Sequence, residues 1–195
     1  DGDTFFDIGA NIGAIGLTVV KNKKKIKYIG FEASPVVFEY LSNNFVTNKI
    51  SDYTLHNYLV HEKDGVHIPF YQSEYNGKSS LAPTYATEYI MLHSISLDSF
   101  CREKNISHIH WMKGDVQGFE LYVFKGMEQL LQDKKVDNIL FEFEYWAEEA
   151  AGLEKGAAQQ FIASMGYEMF DIKGKKIEEV ITKGRTMIWA KPVEN

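Results

Sequence analysis

A regular alternation of short apolar runs with segments of helical periodicity constrains this sequence more than any other feature. Five apolar runs are typical of buried β-strands, and apolar residues recur every three or four positions in segments that follow several of them. This alternation predicts a parallel sheet covered by helices, with ligands bound beyond the carboxyl ends of the strands. The predicted strands are TFFDI (4–8), YIGFE (28–32), YTLHNYLV (53–60), IHWMKGD (109–115) and VDNILFEFE (136–144).

Four segments carry helix signals. Ser34 and Pro35 suit the N-cap and first helical position of one of them. The segments YEMFDI (167–172) and RTMIWAK (185–191), separated by a turn-rich stretch, predict a terminal antiparallel hairpin. The predicted helical stripes are Ile12, Ile15 and Val19; Val37, Leu41 and Phe45; Val123, Met127, Leu130 and Leu131; and Ala158, Phe161, Ile162 and Met165, the last closed by Gly166.

Length and charge limit what the chain does. A chain of 195 residues fits a single domain, 1–195, and its formal charge of −6 argues against nucleic acid as a partner. The basic run KNKKKIK (21–27) is typical of a solvated loop, and no apolar run is long enough to span a membrane. Cys101 is the only cysteine, and on a helical segment it is expected to be packed; together these features predict a cytoplasmic protein. Because the chain opens at Asp1 without Met, we expect a trimmed N-terminus that lacks a substrate-capping segment.

The glycine turn after the first strand indicates the kind of ligand. In DIGANIGAIG, Asn11 stands where a dinucleotide-binding turn needs its second glycine for the pyrophosphate. Asp7 adds a carboxylate that suits a cationic amine, and Glu32 ends the second strand, where an acid accepts hydrogen bonds from ribose hydroxyls. Glycines after a strand also make plain turns, but this combination predicts a positively charged nucleoside without phosphate, such as S-adenosylmethionine.

A series of motifs resembles the FkbM-type methyltransferases. FDIGANIGAIGL, FEASP, HEKDG, SSL (79–81), SLDSF (96–100), KGDVQGFELYVFKGMEQLL and ILFEFE occur in the family's order, from about Phe5 to Glu144. The resemblance implies a Rossmann-like class I methyltransferase with a mostly parallel seven-stranded sheet, helices on both faces and a C-terminal antiparallel hairpin. It also implies O-methylation of a sugar, glycan or natural-product hydroxyl. The cofactor residues that we expect are Asp7, Gly9, Asn11, Gly13, Glu32, Ala33, Tyr58 and Asp115.

Three carboxylates are candidates for removing the hydroxyl proton during methyl transfer. Asp115 ends the fourth strand, Glu142 lies in the fifth, and Glu120 falls in the first turn of a helix, where a structural role is equally expected. Gln117 occupies a position where the family pattern has glutamate, and Gly114 one where it has an apolar residue. Gln117, Ser79 and Ser80 are the predicted substrate-binding residues, and Tyr145 and Trp146 are further candidates for an acceptor pocket.

The histidines carry weaker signals. His61, with Asn57 and Tyr58, follows the third strand and is a secondary candidate for the cofactor pocket. His108 and His110 alternate at the start of the fourth strand, away from the predicted site, and we expect a structural or exposed role. No Cys/His spacing resembles a zinc site, so no metal is expected.

Two other functions stay open at this point. A nicotinamide-dependent oxidoreductase would use a similar sheet, although Asn11 and Asp7 disfavour it. A non-catalytic or weakened S-adenosylmethionine-binding module is motivated by Gln117, which orients a hydroxyl but takes no proton from it.

Overall fold

A computed structural model describes residues 2–23, 25–73 and 79–193. Within these ranges the chain alternates strands and helices from the N-terminus onward, as the sequence predicts. The strands are β1 (Asp3–Ile8), β2 (Ile26–Phe31), β3 (Tyr53–His56), β4 (Leu59–Val60), β5 (His67–Tyr71), β6 (Tyr89–Ile95), β7 (Ile109–Gly114), β8 (Val136–Glu144), β9 (Tyr167–Asp171) and β10 (Arg185–Pro192). The helices are α1 (Ala14–Asn22), α2 (Pro35–Thr47), α3 (Leu97–Glu103), α4 (Glu120–Lys125), α5 (Glu128–Gln132), α6 (Tyr145–Ala150) and α7 (Ala157–Ser164).

The main sheet has seven strands in the order β3-β2-β1-β7-β8-β10-β9. The first five are parallel, whereas β10 runs antiparallel between β8 and β9. This confirms the predicted class I methyltransferase sheet with a terminal antiparallel hairpin. The strand order reverses between β1 and β7, and the carboxyl ends of these two neighbours form the switch point where ligands bind in such sheets.

Helices cover both faces of this sheet. Successive residues of a strand point to opposite faces, so neighbours on β1 belong to different cores. Phe5 packs in a cluster with Leu41 and Phe45 of α2, whereas Phe6 packs in a cluster with Phe100 of α3 and residues of α4, α5 and α7. Burial on both faces explains why the parallel strands are nearly continuous apolar runs.

The start of α2 follows its sequence signal closely. Ser34 is the N-cap, its hydroxyl accepts a hydrogen bond from the Val37 amide, and Pro35 is the first helical residue. Leu41 and Phe45 are fully buried beneath the sheet. This cap fixes the direction of the chain immediately after Glu32 and so the position of the Ser34 amide, which donates to the Glu32 carboxylate.

Other predicted elements differ in detail. The run 53–60 forms two strands, because β4 leaves the main sheet and pairs with β6 in a second sheet of order β4-β6-β5. The predicted stripe of Ile12, Ile15 and Val19 is wrong at its first two positions, which are exposed, whereas Val19 packs against the core. Helix α1 also places Gly16 against the ring of Tyr28. The helix predicted after the fourth strand is divided into α4 and α5 at Gly126, where a Cβ would lie 2.6 Å from the His61 carbonyl oxygen.

Two smaller expectations concern burial and membranes. Cys101 packs in the core on α3, and burial raises the pKa of its thiol to about 12, which makes it an inert packed residue. Among the residues that the structure describes, no helix combines the length and the apolar character that crossing a bilayer requires.

Candidate active site

Two neighbouring cavities open at the carboxyl ends of β1, β2 and β7. Their volumes are about 490 and 430 Å³, including the solvent at their mouths, and Gly9, Glu32 and Asp115 line both. The second is more polar and is also lined by Asn11, Val37, Ser79 and Gln117. The first has an apolar wall formed by Phe31, Leu59, Val60, Phe70, Leu81 and Phe119.

The glycine turn is shaped so that the backbone itself forms part of the wall. The amides of Gly9 and Ala10 both donate to the Phe31 carbonyl, which ties the turn to the end of β2. Gly9 has φ +74°, and a Cβ there would lie 2.1 Å from the Asp115 carbonyl oxygen. A side chain at this position is therefore excluded by both the φ angle and the close approach of β7. Gly13 lies behind the turn as the N-cap of α1.

Glu32 is held rigidly at the junction of the two cavities. One carboxylate oxygen accepts the Asn11 amide at 2.8 Å, and the other accepts the Ser34 amide at 2.9 Å. Burial raises the pKa of Glu32, while these two amides and the Lys113 ammonium oppose the shift. Each oxygen retains a lone pair for a ligand hydroxyl, so the carboxylate is preorganised to accept a pair of hydroxyl donors.

Asp7 does not face either cavity. Its side chain is fully buried, one oxygen accepts the Tyr28 hydroxyl at 2.7 Å, and the other lies 3.1 Å from Nζ of Lys113. Burial, followed by the Asp7 charge, raises the pKa of Tyr28, so its hydroxyl stays protonated and donates. The geometry places Asp7 beneath the turn, where its neighbours are Lys113 and Tyr28 and where it lines neither cavity.

Lys113 lies beneath the glycine turn and is not among the residues predicted from the sequence. Its buried ammonium donates to the Gly9 carbonyl at 2.7 Å, pairs with Asp7, and lies 3.9 Å from Asp115. Lys113 thus connects β1, the glycine turn and the end of β7. Its position inside the apolar strand 109–114 could have identified it from the sequence, because a lysine buried in a strand needs a carboxylate partner.

Asp115 and Gln117 form the floor of the polar cavity. Asp115 is about one-third exposed, and its Oδ1 accepts Nε2 of Gln117 at 3.0 Å. Gln117 adopts φ 58°, and its buried Oε1 has no hydrogen-bond partner among the residues that the structure describes. Gly118 follows with φ +95°, where a Cβ would lie 2.3 Å from the Ala147 backbone. The loop 115–118 is therefore a tight, constrained turn that aims Asp115 into both cavities.

Glu142 and Arg185 lie close to Asp115 but, like Glu120, are not among the residues that line the two cavities. Arg185, on β10, donates through Nε to Oε1 of Glu142 at 2.7 Å, and its Nη2 lies 2.6 Å from the same oxygen. The Glu142 side chain is 9% exposed. Burial and then the Asp115 charge raise the pKa of Glu142, and Arg185 opposes the shift. Arg185 was not predicted, because the pairing of β8 with β10 that brings it here depends on strand register.

Glu120 is fully enclosed at the start of α4 and lines neither cavity. Its Oε1 accepts the Val116 amide at 2.8 Å. Burial raises the pKa of Glu120 to about 8, and the charges of Asp115 and Glu142 contribute in the same direction, against the amide hydrogen bonds. The Glu120 carboxyl group therefore stabilises the turn 115–118 through the Val116 amide, on the side of the turn that faces away from the cavities.

The remaining predicted residues are divided between the cavities and their surroundings. Ala33, Tyr58 and Ser80 line the apolar cavity, and Ser79 lines the polar one. Ser80 is fixed by hydrogen bonds with Tyr71 and Ala82.

Four further candidates are not among the residues that line the cavities. Asn57 donates to the carbonyls of Glu32 and Ala33, which secures the end of β2. His61 stacks on Tyr122, outside both cavities. Tyr145 is exposed on α6, and Trp146 contacts the ring of Tyr85.

Comparison with solved structures identifies the fold. An rRNA methylase from Streptococcus thermophilus has a TM-score of 0.54 at 9% identity, with 100% of this chain and 89% of that chain covered. The N-terminal domain of EvdMO1, solved with SAH bound, has a TM-score of 0.52 at 10% identity, with 98% and 75% covered. The METTL16 methyltransferase domain has a TM-score of 0.52 at 14% identity, with 97% of this chain covered, and the chain spans 58% of that structure. At such identities the similarity concerns the fold alone.

Comparison of sequences identifies the family. No curated protein matches the chain. The methyltransferase FkbM domain matches residues 7–169, which include the glycine turn, Glu32, the loop 115–118 and Glu142. The chain belongs to the FkbM methyltransferase domain family.

Proposed function

We propose that this protein is an S-adenosylmethionine-dependent O-methyltransferase that acts on a hydroxyl of a sugar, a glycan or a small natural product, through a single domain spanning 1–195. The observation that carries the proposal is the pair of cavities that share Gly9, Glu32 and Asp115. One cavity is apolar and the other polar, as the adenine and the amino-acid ends of this cofactor require. The SAH-bound EvdMO1 domain, on the same fold, supports this assignment.

The chain offers a contact for each part of the cofactor. The adenine suits the apolar wall with Phe31 and Tyr58, and the ribose hydroxyls suit the fixed carboxylate of Glu32. Gly9, which packs against the Asp115 carbonyl, presents its backbone to both cavities. Among the described residues of the polar cavity, the ionisable side chains are Glu32 and Asp115. Asp115 supplies the negative charge for the ammonium group, a role that the sequence predicts for Asp7. When bound, the cofactor supplies an electrophilic methyl group on a cationic sulfur.

The chain's remaining task is to orient the acceptor and remove its proton. We assign proton removal to Glu142, which lies near the carboxyl end of β8 beside Asp115. Burial and the Asp115 charge raise the pKa of Glu142 and so its basicity, and Arg185 opposes this shift. Gln117 and Ser79, which also line the polar cavity, position the acceptor hydroxyl, and Asp115 lies at the boundary between the cofactor and the acceptor. Glu120 acts as a positioning residue through its bond to the Val116 amide, rather than as a catalytic one.

A two-stage experiment tests this proposal. Calorimetric titration with S-adenosylmethionine and with S-adenosylhomocysteine comes first, and we expect one molecule bound per chain at micromolar concentrations. A screen of sugar and polyketide hydroxyl acceptors with radiolabelled methyl donor follows. Absence of binding at millimolar cofactor would refute the proposal, whereas binding without transfer to any acceptor would favour the second candidate below.

The second candidate is a weakened or non-catalytic cofactor-binding module. The observation that favours it is Gln117, an amide where the family pattern has glutamate, with one oxygen buried and unpaired. The nicotinamide alternative has no comparable support, since Asn11 still occupies the position where a pyrophosphate would approach.

A further inference from the structure

A cluster of side chains that are able to bind a metal ion lies at the amino ends of the central strands, whereas the cavities lie at the carboxyl ends. His108 immediately precedes β7 and His110 is its second residue, so the two side chains leave the same face of the strand. Pairing of Ile109 with Val136 then sets Asp137 of β8 alongside them. The three residues therefore converge at the amino ends of the two central strands.

The ligand atoms are already close enough to share one ion. One nitrogen or oxygen from each of His108, His110 and Asp137 lies within 4.8 Å of the other two. Nε2 of His108 is 2.9 Å from Oδ1 of Asp137, and the two imidazole rings meet edge to face with centroids 4.9 Å apart. Ligands around a tetrahedral zinc ion, bound at about 2.0–2.1 Å, are separated by roughly 3.3 Å. Small rotations of these side chains, 36 to 44% exposed, reach that geometry and leave one position for water.

The surroundings of His110 supply the outer contacts of such a site. Its Nδ1 lies 3.0 Å from both the amide and the hydroxyl of Thr4, and the hydroxyl is itself oriented by donating to the His108 carbonyl. A metal on Nε2 requires the ring proton on Nδ1, where the Thr4 hydroxyl accepts it. Without metal the Thr4 amide donates to Nδ1, so the ring proton of His110 is on Nε2. Metal binding at Nε2 therefore requires that this proton move to Nδ1, and the cost of this change lowers the affinity for the metal. Asp3 adds negative charge 3.8 Å from Nε2 of His110.

We propose that His108, His110 and Asp137 form a surface site for a divalent transition metal of the zinc class. Two imidazole nitrogens and one carboxylate oxygen select zinc, copper, nickel or cobalt over magnesium and calcium, which prefer oxygen ligands. The site ties β7 to β8 far from the methyl-transfer cleft, so its effect is on the stability of the folded state and not on the reaction. No Cys/His spacing along the sequence indicated it, because Asp137 joins only through the pairing of the two strands.

The test is calorimetric titration of the chelator-treated full chain with zinc chloride at pH 7.5, together with thermal unfolding. We expect one zinc per chain with micromolar affinity, no binding of magnesium, and a rise in Tm of about 5 °C at saturating zinc. His108→Ala and Asp137→Asn should each weaken zinc binding at least tenfold. Circular dichroism without metal checks that both variants fold.

His67→Ala is the matched control, because His67 and His93 form another pair of imidazoles, 5.5 Å apart, on the β5–β6 hairpin. Zinc affinity should be unchanged in this variant. Unchanged affinity in His108→Ala, loss in His67→Ala, or no binding at millimolar zinc would each overturn the proposal. None of these outcomes depends on cofactor binding or methyl transfer.

Discussion

The ammonium of Lys113 and the carboxylate of Asp7 lie 3.1 Å apart beneath the glycine turn, with side-chain exposures of 11% and 0%. The same ammonium donates to the Gly9 carbonyl and approaches Asp115, so one cation holds the turn and the end of β7 together. A charge pair with so little solvent contact is strongly interdependent, because removal of either partner leaves the other as a buried charge without its closest counterion.

Lys113→Met should therefore lower the free energy of unfolding by about 3–5 kcal/mol, since it leaves Asp7 charged and unpaired. In the double variant with Asp7→Asn, the loss should be smaller than the sum of the two single losses by at least about 1 kcal/mol. Urea denaturation measures the free energy of unfolding of the two single variants and of the double variant. Lys27→Met, on the exposed start of β2, is the control and should stay within about 0.5 kcal/mol of the parent. Additive losses would show that the pair is not coupled.

Glu32→Gln should weaken binding of S-adenosylhomocysteine about 10- to 100-fold, measured by calorimetry. Both Glu32 oxygens accept backbone amides, so a side-chain amide would turn its own N–H toward one of those donors and lose the charged acceptor for the ribose. Hydrogen bonds to a charged group contribute about 1.5–3 kcal/mol each, which sets this range. Glu39→Gln, exposed on α2, should bind as the parent does. Equal affinity in the two variants would remove Glu32 from the cofactor site.

Features set by local chemistry were predictable from the sequence. Ser34 and Pro35 mark the start of α2, and the apolar run 136–144 matches β8, because a cap and a buried strand leave signals within a few residues. The glycine turn and Glu32 likewise lie in one β-α-β unit, whose geometry is constrained by short connections. The parts of the cleft built from single loops were therefore recognisable.

Features set by strand register and by competition between partners were not predictable. The sequence predicts that Asp7 meets a cofactor amine, whereas in the structure Tyr28 donates to one Asp7 oxygen and the Lys113 ammonium lies 3.1 Å from the other. Arg185 reaches Glu142 only because β10 pairs with β8, and β4 leaves the main sheet because it pairs with β6. Such contacts connect positions far apart in sequence, and no local pattern encodes them.

Glu120→Gln should reduce the loss of stability that the parent shows as pH rises from about 5 to 8. The pKa of Glu120 is about 8 in the folded chain against an ordinary value of 4.5, so the folded state binds more protons than the unfolded state between these values. Folding stability therefore falls with rising pH across this window, by up to about 1.4 kcal/mol per unit. Glutamine keeps an oxygen for the Val116 amide and carries no charge.

Urea midpoints at pH 5, 6.5 and 8 provide the measurement. Glu128→Gln, exposed on α5, is the control and should retain the slope of the parent. If the Glu120→Gln chain shows that same slope, Glu120 is not the group that titrates in this window.

Arg185→Met should move the acidic limb of the kcat/KM pH profile to higher pH. The Arg185 guanidinium opposes the effect of burial and Asp115 on Glu142, so removing it raises the pKa of Glu142, and the ionised base appears only at higher pH. Lys183→Met removes an exposed cation two residues away and should leave the limb unchanged.

Glu142→Gln establishes whether this limb belongs to Glu142. Removal of a general base typically lowers turnover 10²- to 10⁴-fold, and we expect a loss in this range with cofactor affinity preserved. If Glu142→Gln retains full turnover, Asp115 becomes the remaining candidate for the base.

Gln117→Glu should lower turnover at pH 7 about tenfold, although it restores the residue of the family pattern. Nε2 of Gln117 donates to Asp115 in this chain, whereas a carboxylate at 117 would repel Asp115 and raise the pKa of the neighbouring acids. The acidic limb of kcat/KM should move to higher pH together with the loss. Gln117→Met, which removes the donor without adding charge, separates the two effects and should leave the limb in place. A tenfold gain in Gln117→Glu would instead mean that Gln117 weakens the natural chain, and would favour the cofactor-binding module over the efficient enzyme.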